Sequence, residues 1–311
     1  MNPEPELTIV ICTYQRAGLL IHSLNALAGQ TLDPNRFEII VIDNNSADKT
    51  AQVVGQFRRD YPALNVRYAL ETQQGLSHAR NRGFREARGQ YVAYIDDDAR
   101  AEPDWAERLL RPFNTVQPQP FCVGGKYLPW YETPPPAWFT ADFETRTWGK
   151  TEGFLTGKRQ RFGLSGSNMA YPKAVLEQYG GFPTDPGIMT RNLGEETYLN
   201  YKIFKTHPER RDQLFYYDPQ LIVHHWTTAR NAEVAYRLNR AFKGGVSIAF
   251  IEGSRPTRWL FWKTLLLLGT QLLKYPFRLL TGTGTWKARW LRSTQELYTT
   301  AGYLAGSLGG S

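Results

Sequence analysis

Residues 90–105, QYVAYIDDDARAEPDW, decide how the chain is read. Tyr91 to Ile95 are mostly aromatic or β-branched, the composition of a buried strand. Three carboxylates follow at once, Asp96, Asp97 and Asp98. Adjacent acids repel, so such a cluster costs stability unless a cation or hydrogen-bond donors offset it. Two readings stand at this point. One is a solvated turn whose Asp caps a helix near Trp105 to Leu110. The other is a cation site at the end of a strand.

Working outward, the first hundred residues alternate two periodicities. LTIVIC (7–12), RFEIIVIDN (36–44), NVRYAL (65–70) and QYVAYID (90–96) read as strands. RAGLLIHSLNALAGQ (16–30), SADKTAQVVGQFRRDY (46–61, with Ser46 as N-cap) and GLSHARNRGFREAR (75–88) read as helices. Repeated βα units of this length predict an α/β fold, a mostly parallel sheet flanked by helices. Such sheets bind ligands beyond the carboxyl ends of their strands. Thr13, Asp43 and the acid cluster all fall at such ends, so they are expected to line one crevice.

The alternation stops near Pro112. The Pro- and aromatic-rich segment 127–150 reads as a long loop layer, either a wall of the site or filler. Then NLGEETYLNYKIFK (192–205) reads as a helix and FYYDPQLIVHHW (215–226) as a strand. The expected organisation is a catalytic domain over 1–235, divided into halves at about 1–111 and 112–235, and a C-terminal amphipathic helical region over 236–311.

The 311 residues carry a net charge of +8. From Gly253 to Gln295 there is no Asp or Glu, while Arg255, Arg258, Lys263, Lys274, Arg278, Lys287, Arg289 and Arg292 fall in that window. These eight cations equal the whole excess, so the rest of the chain is near neutral. This argues against nucleic acid as a partner and for one basic tail. The uncharged run Thr264–Leu273 is far shorter than the ~20 residues that span a bilayer. Framed by cations and by Trp259, Trp262, Trp286 and Trp290, it predicts a helix lying in a membrane interface. A core helix or a homodimer seam is the alternative. Cys12 and Cys122 lack metal-ligand spacing and read as free thiols in a reducing compartment. The start, MNPEPELTIVICTYQR, has acids where a signal peptide needs positive charge. The expected location is therefore cytoplasmic, peripheral on the cytoplasmic face of the membrane.

Several short motifs carry chemistry. Asp43 can accept hydrogen bonds from a nucleobase or ribose, and the helix start behind it offers free N–H groups to an anion. Arg80 can pair with a phosphate or stack on a base. The acids at 96–98 suit Mg²⁺ or Mn²⁺, which take hard oxygen ligands together with substrate phosphates. Glu195 and Glu196 open a helix, where acids are common, yet either can serve as a general base. Of His224 and His225, strand alternation puts only one on a given face.

Taken in order, TIVICTYQR, VIDNNSADKT, GLSHARNRG, YIDDDARAEPDW, SGSNMAYPKAVLEQYGGF, GEETYL and VHHWTTAR make the chain resemble a family-2 glycosyltransferase of the GT-A fold over roughly residues 6–245. The resemblance implies an inverting, metal-assisted hexosyl or related transfer. The donor would be a UDP-, GDP- or dTDP-linked sugar and the acceptor a hydroxyl, in cell-surface polysaccharide or glycolipid synthesis. It also implies roles by position. Thr13, Tyr14, Arg16, Asp43, Asn45, Arg80, Asp96 and Asp97 would bind the nucleotide sugar. Gly166, Ser167 and Asn168 would shape the sugar and acceptor pocket. Asp98 and His224 would hold Mn²⁺ or Mg²⁺, and Glu196 would be the base with Glu195 as its rival. Here Glu stands where the family more often has Asp. The basic tail adds a lipid-linked saccharide as the expected acceptor. Two other readings remain. A nucleotidyltransferase would need a Gly-rich basic loop after the first strand, where CTYQRAG has one Gly and one Arg. A membrane-bound scaffold that kept the fold without catalysis would be marked by loss of the acids, and they are present.

Overall fold

The computed structural model describes residues 4–157, 163–185, 194–252, 258–281 and 283–308. Among residues named above, Asn192, Leu193, Gly253 and Arg255 lie outside these, as do the side chains of Arg258, Trp259, Trp262, Lys263, Thr264 and Arg278.

The chain folds as two compact units. The first comprises Met1–Trp130, Glu144–Asp185 and Gly194–Trp226. It opens with β1 (Leu7–Thr13), α1 (Ala17–Ala28), β2 (Phe37–Asp43), α2 (Thr50–Asp60), β3 (Val66–Leu70), α3 (Leu76–Glu86) and β4 (Tyr91–Asp96). Then come β5 (Ala99–Ala101), α4 (Trp105–Thr115), β6 (Cys122–Tyr131), β7 (Gly153–Phe154), β8 (Asn168–Pro172), α5 (Lys173–Tyr179), α6 (Glu195–Thr206) and β9 (Phe215–Thr227).

The sheet runs β3-β2-β1-β4-β8-β6-β9-β5, with β7 beside β9. The first four strands in that order are parallel, whereas β4–β8, β6–β8, β5–β9 and β7–β9 pair antiparallel. The order reverses at β1, with β2 on one side and β4 on the other, which is where an open α/β sheet leaves a crevice. Register makes this concrete. Thr13 pairs with Asp43 and Cys12 with Asp96, so three carboxyl ends meet at one edge.

Strict alternation builds two cores. Leu7, Ile9 and Ile11 of β1 join Phe37, Ile39 and Val41 of β2 under α1, α2 and α4. Val10, Ile40 and Ile42 face the other way, toward Ala79 and Phe84 of α3, Leu176 of α5 and Leu199 of α6. Each such side chain contributes about 1.5–3 kcal/mol of transfer free energy, enough collectively to fix register to the residue.

Two local expectations change. Helix α2 starts at Thr50, and Asp48 Oδ1 accepts from both the Thr50 N–H (3.0 Å) and its hydroxyl (2.5 Å). Ser46 is not its cap. It accepts from the Gln15 N–H at 2.9 Å and so ties two loops together. The segment expected as a loop from 127 begins as the end of β6, because YLPWY has strand composition despite its proline.

The second unit takes in Tyr131–Phe143 and the chain from Thr227 onward. It holds α7 (Val234–Ile251), α8 (Arg258–Thr281) and α9 (Trp286–Leu308). Phe139 and Phe143 stack with ring centres 5.0 Å apart and pack with Ala288 and Leu291 of α9. Of the aromatic segment, Tyr131–Phe143 belongs to this unit, while 127–130 and the part from Glu144 onward belong to the first. Helices α7 and α9 cross at close range. A Cβ on Gly245 would lie 1.9 Å from the Thr299 carbonyl oxygen, and one on Gly302 would lie 2.0 Å from that of Phe242. Among the described residues no helix is long and apolar enough to cross a membrane.

Candidate active site

The site lies within the first unit, at the carboxyl ends of β1 and β4. A cleft of about 490 Å³ opens there, lined by Thr13, Tyr14, Arg16, Gln74, Asp96 to Asp98 and His225 among others.

Its polar floor is built from strand ends. Thr13 donates its hydroxyl to Asp97 Oδ2 at 2.7 Å, joining β1 to β4. Arg16, in the loop after β1, donates to Asp97 Oδ1 (3.1 Å) and Asp98 Oδ2 (2.9 Å). Both Asp97 oxygens are thereby held. Burial pushes its pKa up to about 6, against the pull of Arg16. Asp97 thus lines the cleft with both oxygens braced by β1 and the loop after it.

Asp96, Asp98 and His225 form the second layer. The ligand atoms of the three lie within 4.8 Å of one another. His225 Nε2 is 3.3 Å from Asp96 Oδ2 and 3.2 Å from Asp98 Oδ1. Burial lowers the His225 pKa, but the hydrogen bond to Asp96 and the charge of Asp98 outweigh it and raise it to about 9. Asp98 Oδ1 is buried and makes no hydrogen bond. Two carboxylates, one with a buried oxygen that makes no hydrogen bond, and an imidazole are a donor set that fits Mn²⁺ or Mg²⁺ once the imidazole gives up its proton.

The histidine assignment is corrected here. His224 is the one expected beside the acids, but its Nε2 lies 2.7 Å from Glu102 Oε1 on the other face of β9. The β5–β9 register sets Ala99 opposite His225 and Arg100 opposite His224. Since Ala99 follows Asp98 directly, His225 is the one brought to the carboxylates.

Arg80 is also placed differently from expectation. Its side chain is only 4% exposed. Nη1 pairs with Glu195 Oε1 at 2.5 Å and lies 3.6 Å from Glu196 Oε2. Nη2 lies 3.6 Å from Asp96 Oδ1 and donates to the Gly166 carbonyl at 3.3 Å. Shared among three acids, it links the ends of β4 and α6.

Glu195 and Glu196 occupy the first turn of α6, where the helix dipole favours negative charge. Glu196 Oε1 accepts from the Gly166 N–H at 3.2 Å. Burial first, then the neighbouring charge of Glu195, pushes Glu196 up to about 7, suited to a base working near neutral pH. A Cβ on Gly166 would lie 2.7 Å from Arg80 Nη2 and 3.0 Å from Glu196 Cδ, so a side chain there would displace the arginine fork. Beside it, the Ser167 Oγ is buried and makes no hydrogen bond.

Asn168 does not face a pocket. It is fully buried; its Oδ1 accepts from the Trp105 indole N–H (2.8 Å), and its Nδ2 donates to the carbonyls of Lys126 (3.0 Å) and Leu221 (2.9 Å). It is a bracket between α4, β6 and β9. Asp43 is buried too, accepting from the Ser46 N–H (2.8 Å) and the Tyr68 hydroxyl (2.8 Å). Asn45 is exposed with φ 67°, and its neighbour Asn44 is the residue that lines the cleft. Asn44 accepts from the Gly75 N–H and donates to the Glu71 and Gln73 carbonyls. Asn44, Gln74 and His225 are cleft residues that sequence reasoning misses.

Comparison with known proteins agrees with this architecture. The glycosyl transferase family 2 profile matches residues 8–180, more than half of the chain, and the protein belongs to that family. A glucosyl-dolichyl phosphate glucuronosyltransferase of Haloferax volcanii is 27% identical over 186 residues, 58% of this chain and 57% of that one. The chain thus spans little more than half the length of this curated relative. A validoxylamine A glucosyltransferase of Streptomyces hygroscopicus subsp. limoneus is 33% identical over 125 residues, 40% of this chain and 27% of its own. Among solved structures, a Pyrobaculum calidifontis mannosyltransferase in complex with GDP-Man and Mn²⁺ superposes with a TM-score of 0.56 at 18% identity, covering 99% of this chain and 76% of that one. S. aureus TarS 1–349 with UDP-GlcNAc gives 0.54 at 16% identity, covering 97% and 89%. The fold is therefore the GT-A fold.

Proposed function

We propose that the cleft transfers a sugar from a nucleoside diphosphate donor to an acceptor hydroxyl, with inversion at the anomeric carbon. The observation that carries this reading is the shared anchorage of two acid groups. Asp96, beside His225 and Asp98, and the pair Glu195 and Glu196 are held by one buried arginine. An acid cluster fitted for a cation thus stands in fixed geometry to a carboxylate whose pKa is about 7.

In the reaction Glu196 removes the proton of the acceptor hydroxyl. The oxygen then bonds to the anomeric carbon from the face opposite the diphosphate. The bond from that carbon to the diphosphate oxygen breaks, and its electron pair leaves with the nucleoside diphosphate. A divalent cation held by Asp96, Asp98 and His225 would offset the charge gathering on that leaving group. Arg16 keeps Asp97 and Asp98 oriented, and Arg80 holds both carboxylates of α6 in fixed relation to Asp96. One carboxylate base is enough, because the leaving diphosphate needs no protonation.

Solved neighbours bind GDP-Man and UDP-GlcNAc, which supports a nucleotide-sugar donor, here UDP-, GDP- or dTDP-linked. The name of the Haloferax relative supports a lipid-linked acceptor and hence glycolipid or polysaccharide assembly. Calorimetric titration with UDP, GDP and dTDP, with Mn²⁺ and with chelator, tests the donor half. Metal-dependent binding of one nucleotide is expected, and binding of none by the folded protein would refute the reading. The anomeric configuration of the product, read by NMR, tests inversion.

A further inference from the structure

We infer that α8 is a docking surface for an anionic lipid bilayer, lying in the plane of the interface. The inference concerns the second unit alone and does not depend on the reading of the cleft.

Leu266, Leu273 and Leu280 are 70%, 80% and 78% exposed. They are spaced by seven residues, two helical turns, so they form one line along the helix, roughly 20 Å long. Leu272, 56% exposed, widens it, and Trp286 at the start of α9 is 60% exposed. The stripe is not a core face left over from packing inside the unit. Helix α8 packs on α9, and Tyr275 carries its hydroxyl to Thr294 of that helix at 3.1 Å. The leucines point elsewhere. Four exposed leucines on one helix form a patch of a kind that soluble surfaces avoid unless it is covered in use.

Charge selects what covers it. The segment 253–295 carries eight cations and no acid. A second copy docking along the same stripe would bring two acid-free cationic segments together, a like-charge contact that costs affinity. An anionic bilayer inverts that sign: each Lys or Arg near the surface gains from it, while the leucines enter the acyl boundary. Length excludes spanning, because the uncharged run Thr264–Leu273 is about half of what a bilayer needs. An in-plane helix with cations at the headgroups satisfies both constraints.

The test is flotation of the intact protein with vesicles of phosphatidylcholine plus phosphatidylglycerol, and of phosphatidylcholine alone, without donor or acceptor. Binding to the anionic vesicles, weakened by salt, is expected. L266S/L273S/L280S should reduce partitioning on the order of 100-fold. These positions are exposed, so circular dichroism and Tm should stay unchanged. As a second variant that leaves the leucines intact, K274E should reduce binding to anionic vesicles roughly tenfold. Failure of the native protein to bind anionic vesicles, or undiminished binding by the triple variant, would overturn the proposal. So would light scattering that shows a dimer which the triple substitution splits.

Discussion

Arg80 and Glu195, 115 positions apart in sequence, pair at 2.5 Å with the guanidinium only 4% exposed. The other amino group of the same arginine lies 3.6 Å from Asp96. A single buried cation therefore balances acids from two separate elements, β4 and α6.

Removal of that cation should be costly. Arg80→Ala leaves Glu195, Glu196 and Asp96 facing one another without compensation, a loss of about 3–5 kcal/mol. Arg80→Lys keeps the charge but cannot fork to both ends. Its expected signature is a fall in kcat of roughly 10²-fold with donor Kd changed little. A fall in donor affinity with kcat preserved would return Arg80 to the nucleotide.

Glu196, pushed up to about 7, sets a pH profile. As a base it acts when deprotonated, so transfer should fall about tenfold per pH unit below 7 and level off above it. Glu196→Gln should lower kcat by roughly 10²–10⁴-fold with donor binding intact. A flat rate between about pH 5.5 and 8 would sink the assignment, and the same loss in Glu195→Gln alone would transfer the role to Glu195.

The same shift predicts a stability effect of opposite sign to the activity effect. The folded pKa of Glu196 is above its ordinary value of 4.5, so the folded state takes up the proton more readily than the unfolded chain. Stability from this group is present below about 4.5 and is lost as pH rises through about 7. At pH 8 the charged side chain opposes folding by at most about 3 kcal/mol. The inactive Glu196→Gln protein should thus melt higher than the native one at pH 8 and no higher near pH 4.5, as thermal unfolding at the two values would show.

The two histidines give a paired test of the cation site. His225→Ala should weaken Mn²⁺-dependent nucleotide binding by about 10–100-fold. His224→Ala, which gives up only the Glu102 contact, should leave it unchanged. The opposite ranking would restore His224 to the acids and contradict the β5–β9 register.

Most of the parallel half is legible in the sequence because each strand there alternates or runs apolar between clear helices. The carboxyl-end rule by itself gathers Thr13, Asp43 and the acids at one edge of the sheet. The histidine choice is not legible: Leu221, Ile222 and Val223 are all apolar, so alternation in β9 marks no inward face, and only pairing with β5 decides it. Arg80 misleads for a different reason. Arginine on a helix is normally solvated, and its burial follows from acids 16 and 115 residues away. Asn168 looks like a pocket residue because its type suits one. Its three partners come from α4, β6 and β9, and no local pattern reports them.

Two kinds of residue line the cleft, and they differ in what holds them. Thr13, Asp97 and Asp98 are buried and bonded into the strand ends, whereas Tyr14 and Leu76, 46% and 43% exposed, stand at the rim. Change at the rim leaves core packing and the acid network alone. On the proposed reading, a library confined to positions 14 and 76 should yield altered donor preference at constant Tm. In such an arrangement a change of specificity need not pass through unstable intermediates, because the rim residues are not the residues that hold the strand ends.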